Sequence, residues 1–165
     1  MDILPDVLNA GLSVVFCGTA AGKTSALRRA YYAHPRNRFW QILHECGLTE
    51  SRLPAEEYRQ LQMYNIGLTD LCKLDSGNDD ELPPGALKPD RLLAAVASYK
   101  PRYLAFTSRT AGRVVCGKSA QYGRQQGHQG TQIFILPTTS PRWGEGWWKE
   151  HKQHWHDFAD AVRST

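Results

Sequence analysis

The chain predicts an α/β fold of three layers, with helices on both faces of a central, mainly parallel sheet of four to five strands. Three observations lead there. Short apolar runs bounded by Gly, Pro or polar residues alternate with segments of helical spacing, and strands that alternate with helices build parallel sheets through crossovers. Two helix candidates open on Pro with acidic residues behind it, a third stops at Gly, and these signals separate the elements. No repeat, low-complexity tract or linker interrupts the 165 residues, so a single domain over 1–165 with a sizeable core is expected.

The elements follow in order. "LSVVFCG" (12–18) reads as a buried first strand bounded by Gly. "RFWQILHECG" (38–47) has helical spacing through Phe39, Ile42, Leu43 and Cys46. "PAEEYRQLQMY" (54–64) places Pro54 in a first turn with acids after it, which suits a helix N-terminus. "NIGLTDLC" (65–72) is a short second strand, "PDRLLAAVASYK" (89–100) a helix, "RYLAFTS" (102–108) a third strand and "TAGRVVCG" (110–117) a short helix. "TQIFILPTTS" (131–140) is a fourth strand ended by Pro137, and "GWWKEHKQHWHDFADAVR" (146–163) is read as one helix with Trp148, His151, Trp155, Phe158 and Val162 on one face.

In open α/β sheets the site lies outside the carboxyl ends of the strands. That rule selects Gly18–Ser25, Thr69–Asp70, Thr107–Ser108 and Thr138–Arg142. The first of these contains Gly22-Lys23-Thr24, the tail of a phosphate-binding loop. The match is poor. Cys17 stands where the first Gly of such a loop belongs, no later strand except the one ending in Asp70 offers an acid for magnesium, and Pro35 lies where the loop's helix should be running. A small kinase or NTPase is therefore an alternative and not the favoured reading.

Composition narrows the rest. Hydrophobic residues make up 41% and charged residues 22%, as in water-soluble globular proteins. No apolar run approaches the roughly 20 residues of a membrane span, and the N-terminus lacks a basic region and cleavage site, so no membrane association and a cytoplasmic, nucleoid-associated location are expected. Net charge is +4, which permits a polyanionic partner without requiring one. The four cysteines, Cys17, Cys46, Cys72 and Cys116, are scattered and read as reduced thiols. His151 and His154 lie one turn apart, but no third ligand accompanies them, so no metal and no cofactor are expected.

"VVFCGTAAGKTSA", "YYAHPRNRFW", "IGLTDL" and "ILPTTSPR", in this order and over nearly the whole chain, resemble the mismatch-specific uracil/thymine-DNA glycosylases of the uracil-DNA glycosylase superfamily. The resemblance implies a monofunctional, monomeric enzyme that binds double-stranded DNA, flips out a uracil or another deaminated base at a mismatch, and hydrolyses its N-glycosidic bond to leave an abasic site. It implies a base pocket of Gly18, Thr19, Ala20, Ala21, Ser25 and Tyr32, with Tyr32 stacking on the base. DNA contacts are implied at Thr138, Thr139, Ser140 and at Arg142, the position that fills the gap left by the flipped base. Lys23 and Asn78 join them as candidate contacts to the backbone. One departure matters: the family's loop usually carries an Asn that positions the attacking water, and Ala20 fills that slot. A subset with the Gly-Thr-Ala-Ala loop carries Gly-Leu-Thr-Asp, as here, which implies that the carboxylate has moved to Asp70.

The chemistry fits that shift. Cleaving an N-glycosidic bond builds positive charge on the sugar and negative charge on the leaving base, so a carboxylate and a set of N–H donors are both useful. Asp70 suits the first need and the backbone of Gly18–Ala21 the second. Trp143, Trp147 and Trp148 are expected mainly in the core. A non-catalytic DNA-damage reader remains the alternative within DNA binding, because Ala20 cannot hold a water.

Overall fold

The computed structural model describes all 165 residues. Five strands form one sheet: β1 (Val14–Gly18), β2 (Ile66–Asp70), β3 (Tyr103–Phe106), β4 (Gly123–His128) and β5 (Thr131–Ile135). Their spatial order is β2-β1-β3-β5-β4, parallel throughout except for β4, which runs antiparallel to β5. Central β1 is hydrogen-bonded on both sides, with Gly18 opposite Asp70 and Cys17 opposite Phe106. Every residue of β1, β2 and β3 is buried, which is why these strands read as continuous apolar runs.

The helices are α1 (Lys23–Arg28), α2 (Phe39–Glu45), α3 (Pro89–Tyr99), α4 (Arg109–Cys116), α5 (Glu145–His151) and α6 (Gln153–Arg163). Side chains alternate across the sheet and so sort into two cores. Val14 and Phe16 pack with Phe39, Trp40, Trp148, Trp155 and Phe158 of α2, α5 and α6. Val15 and Cys17 pack with Leu92 and Val96 of α3 and Ala111 of α4. This is the three-layer α/β/α arrangement expected. On the thinner side α4 lies very close to the sheet: a Cβ at Gly112 would stand 2.4 Å from Ile135.

Four local features differ from the sequence reading. "GRQQGH" is β4, an edge strand without an apolar run, because one of its sides meets solvent rather than a neighbour. It is joined to β5 through Gln129 and Gly130, both at positive φ, as in the mirror-image turns that hairpins favour. Residues 55–64 form 3-10 rather than α-helix, with non-helical angles at Glu57. A six-residue α1 follows the first loop and ends at left-handed Arg29, well before Pro35. The C-terminal segment is two helices, because the Trp155 N–H bonds to the Lys152 carbonyl and tightens the ladder at the junction.

Trp155 ties the C-terminal layer to the functional end of the sheet. It is fully buried, its ring stacks 5.6 Å from Phe16, and its indole N–H donates to the Pro137 carbonyl at 2.9 Å. Truncating such a side chain to Ala typically costs about 3–5 kcal/mol. Here it would also loosen the chain as it leaves β5.

Candidate active site

A cleft of about 690 Å³ opens at the carboxyl ends of the parallel strands. Residues from all four strand-end segments line it: Gly18–Ser25, Asp70, Thr107–Ser108 and Thr138–Arg142. At its floor, groups from three elements converge on the missing side chain of Gly18. A Cβ there would stand 2.9 Å from Asp70 Oδ1, 3.3 Å from Thr107 Oγ1 and 3.5 Å from the Tyr32 hydroxyl. Only glycine lets β1 end beneath these three polar atoms.

Asp70 is buried at the end of β2. Burial pushes its carboxyl up to about 7, against lowering by the Lys73 and Arg91 charges and a backbone hydrogen bond from Gly18, while the Asp6 charge adds to the rise. A carboxyl poised near neutrality suits proton transfer or charge stabilisation at ordinary pH.

Behind Asp70 lies a charged network. The N-terminal segment runs along β2, with backbone hydrogen bonds between Val7 and Leu68 in both directions, and brings Asp6 against the strand. Asp6 Oδ1 accepts from Lys73 Nζ at 2.8 Å and Thr69 Oγ1 at 2.6 Å, and Oδ2 accepts from Arg91 at 3.0 Å. Burial alone would raise the Asp6 carboxyl, but the Lys73 and Thr69 hydrogen bonds and the two cations hold it below its usual range. Arg91 also donates to the Asp70 carbonyl at 2.5 Å, and buried Lys73 donates to the Tyr31 hydroxyl at 3.0 Å. The network thus fixes the main chain that presents Asp70.

Tyr32 stands across from it. Its backbone is left-handed at φ 51°, a conformation that non-glycine residues adopt at a cost. The turn is held by the Ser25 hydroxyl, which accepts from the Ala33 N–H at 3.0 Å, and by Trp40, whose indole donates to the Tyr31 carbonyl. One face of the Tyr32 ring stacks on Phe39 at 3.9 Å, and its hydroxyl shares a 3.0 Å hydrogen bond with Thr107. Tyr32 is thereby braced from behind while it lines the cleft.

The opposite wall is the segment after β5. The Thr138 hydroxyl accepts from the Ser140 N–H and the Ser140 hydroxyl from the Arg142 N–H, so these side chains shape a turn. Thr139 is buried, and its carbonyl accepts from the Arg38 N–H. The Arg38 guanidinium donates to the Ser140 and Trp143 carbonyls at 3.3 and 2.9 Å, lies 3.5 Å from Glu145 and sits over the Trp148 ring.

The uracil DNA glycosylase superfamily profile matches residues 5–162. The chain belongs to this superfamily. Its fold is also similar to the solution NMR structure of a candidate uracil DNA glycosylase from Methanosarcina acetivorans, with a TM-score of 0.69, covering 97% of this chain and 96% of that one. At 20% identity, that likeness concerns the fold alone.

Within this superfamily member, the residues singled out from sequence fall as follows. Gly18, Thr19, Ala20, Ala21, Ser25, Tyr32 and Asp70 share one cleft, and Lys23, Asn78, Thr138, Thr139, Ser140 and Arg142 line the same space. Several are already engaged. Thr19 donates to Asp79, Ser25 holds the turn before Tyr32, exposed Lys23 pairs with Glu81 at 3.0 Å, and the Asn78 N–H donates to the same Glu81. The backbone N–H groups of Thr19 and Ala20 have no partner in the protein. Of the three tryptophans, Trp148 is buried, whereas Trp143 is exposed and Trp147 half-buried on the cleft wall. The core expectation fails for Trp143 because its loop projects past the end of the sheet.

The sequence reading placed Thr107 at the site without giving it a task, and gave no role to Arg38, Arg91 or Asp6. Arg38 sits inside the quoted "NRFW" run, but its partners lie 102 and 105 residues away. His151 and His154 surround Tyr122, with ring centroids 5.8 and 5.1 Å away.

Proposed function

We propose that the chain is a monofunctional, single-domain, monomeric DNA glycosylase that excises uracil and other deaminated bases from mismatched DNA and acts where the cell's DNA lies. The observation that carries this reading is the convergence of Asp70, Thr107 and Tyr32 over Gly18 at the floor of a cleft in a superfamily member. The target nucleotide leaves the duplex to reach that floor. Tyr32, rigid against Phe39, stacks on the base. The free N–H groups of Thr19 and Ala20 face the charge that develops on the leaving base. Asp70, ionised, stabilises the cationic sugar and orients or deprotonates the attacking water, which takes over the work Ala20 cannot do. Small side chains at Thr19, Ala20 and Ala21 leave room for bases other than uracil. Arg142 fills the space vacated by the flipped base, while Thr138, Thr139, Ser140, Lys23 and Asn78 flank the DNA backbone.

The test is incubation with duplexes carrying uracil or thymine opposite guanine, hypoxanthine opposite thymine, or xanthine opposite cytosine, followed by alkali to cut abasic sites. Strand cleavage at uracil is expected. No cleavage at any of the four bases sinks the proposal, and tight binding without cleavage would favour a damage reader.

A further inference from the structure

Trp143, Trp147 and His151 form a ladder of stacked rings that the proposed excision chemistry does not use. Trp143 and Trp147 lie 5.3 Å apart at 29°, and Trp147 and His151 4.3 Å apart at 18°. The inner end is closed: His151 meets Tyr122 edge-on, and the Arg109 guanidinium lies 4.9 Å from the Tyr122 ring centroid. The outer end is open. With one face of its ring on Trp147, Trp143 is still 49% exposed. The ladder is also rigid. Arg38 holds the Trp143 carbonyl at 2.9 Å, and His151 Nδ1 lies 2.7 Å from the Trp147 carbonyl.

Aromatic surface gathered on the wall of a concave cleft beside a few polar groups is where ligands bind. Its setting supplies the occupant. Trp143, Trp147, Tyr122 and Arg109 line the same cleft as Asp70, together with Arg36 and Arg142. The acids near it are engaged: Asp79 with Thr19, Glu81 with Lys23 and within reach of the Arg142 charge, and Glu145 with Arg38. Flat rings flanked by arginines match the two chemistries of single-stranded nucleic acid, a π-face on every base and a phosphate between neighbours.

We propose that the open face of Trp143 is a stacking platform for an unpaired DNA base that neighbours the nucleotide held over Gly18, so that the cleft grips a short single-stranded stretch rather than one flipped nucleotide. This rests on the DNA-glycosylase reading. The base continues the stack Trp143–Trp147–His151, and its phosphates run past Arg36, which lines the same cleft. Such a platform is tolerant of base identity, because stacking does not read hydrogen-bonding edges.

Fluorescence anisotropy with a labelled oligothymidylate that contains no uracil tests it, with an undamaged duplex as comparison and uracil excision assayed on the same wild-type preparation. Trp143→Ala is expected to weaken single-strand binding about tenfold while changing duplex affinity little, and Trp143→Phe to restore most of the loss. Intrinsic tryptophan fluorescence is expected to be quenched by the oligonucleotide in the wild type and less so in Trp143→Ala. Because Trp143 is exposed, neither variant threatens folding. If the wild type excises uracil yet single-strand affinity is indifferent to Trp143→Ala, the platform is wrong and the glycosylase reading stands. If no base is excised while oligothymidylate binding depends on Trp143, the glycosylase reading fails and the platform survives.

Discussion

The two walls of the cleft are built by opposite means. The wall that carries Asp70 is backed by a largely buried, charged network: Asp6, Lys73, Arg91 and Thr69 are joined around the end of β2. The wall after β5 is a loop of hydroxyl-stabilised turns and half-exposed aromatic rings, held from beneath by Arg38 and, at its start, by Trp155. Buried charge fixes one group to a fraction of an ångström and tunes its ionisation, at a high desolvation cost. An exposed aromatic loop forgoes that precision and offers contact area to a flexible ligand. The contrast suggests a division of labour, with chemistry on the first wall and recognition on the second.

The strongest test of that division is Asp70→Asn. Its kcat is expected to fall about 10²- to 10⁴-fold, as when an acid–base group is lost, while DNA affinity persists. Unchanged turnover would move the chemistry off this wall. Next is Lys73→Met, which removes a buried charge from Asp6 and is expected to cost about 3 kcal/mol of stability, read from urea unfolding. It also withdraws a charge that lowers Asp70, so the acid limb of the activity profile should move upward from about 7. A limb that does not move would show that the network shapes the strand without tuning the carboxyl.

Asp70 makes a third, signed prediction. Its folded pKa of about 7 lies above the ordinary value of 3.8, so between these limits the folded state binds more protons than the unfolded one. Its contribution to stability is therefore present below the lower limit and is lost as pH rises, by up to about 1.4 kcal/mol per pH unit. Activity should rise through the same window as the carboxylate forms. Asp70→Asn should accordingly melt at a higher temperature than the wild type near pH 8, and the gap should narrow toward about pH 5. Asp6, held below its ordinary value, works in the other direction and loses its contribution only under more acidic conditions.

On the recognition wall the expected effects are smaller. Arg38→Ala should raise KM about tenfold with a lesser change in kcat, and Arg38→Lys should not fully rescue it, because one ammonium cannot hold two carbonyls and a carboxylate in the planar geometry of a guanidinium. A pure kcat effect would mean that the two walls are coupled. The smallest effect belongs to Lys23→Ala. Lys23 is exposed and already paired with Glu81, so DNA binding should weaken only about two- to threefold at low salt. ATP binding that vanished in this variant would revive the nucleotide-triphosphate alternative.

Much of the wall that carries Asp70 was legible. Asp70 stands at the end of a short apolar run, and strand ends on one edge of a parallel sheet must meet, so the four segments could be brought together without coordinates. What made Asp70 unusual was not legible. Nothing in "LCKLD" marks Lys73 as buried, and the packing of the N-terminal segment along β2 sets it beside Asp6. Trp143 read as core because its neighbours do pack, while its own exposure depends on where the loop leaves the sheet.

By itself, the sequence determined the alternation of strands and helices, the apolar character of the central strands and the position of Asp70 at a strand end. These are local properties, written in composition, period and spacing. The tertiary structure alone decided that Gly18 must lack a side chain, that Asp70 titrates near neutrality, that Arg38 clamps a loop about 100 residues away in sequence, and that Trp143 faces the cleft. Each of these depends on which distant groups share a few ångströms and how much water they exclude, and no stretch of chain encodes that alone.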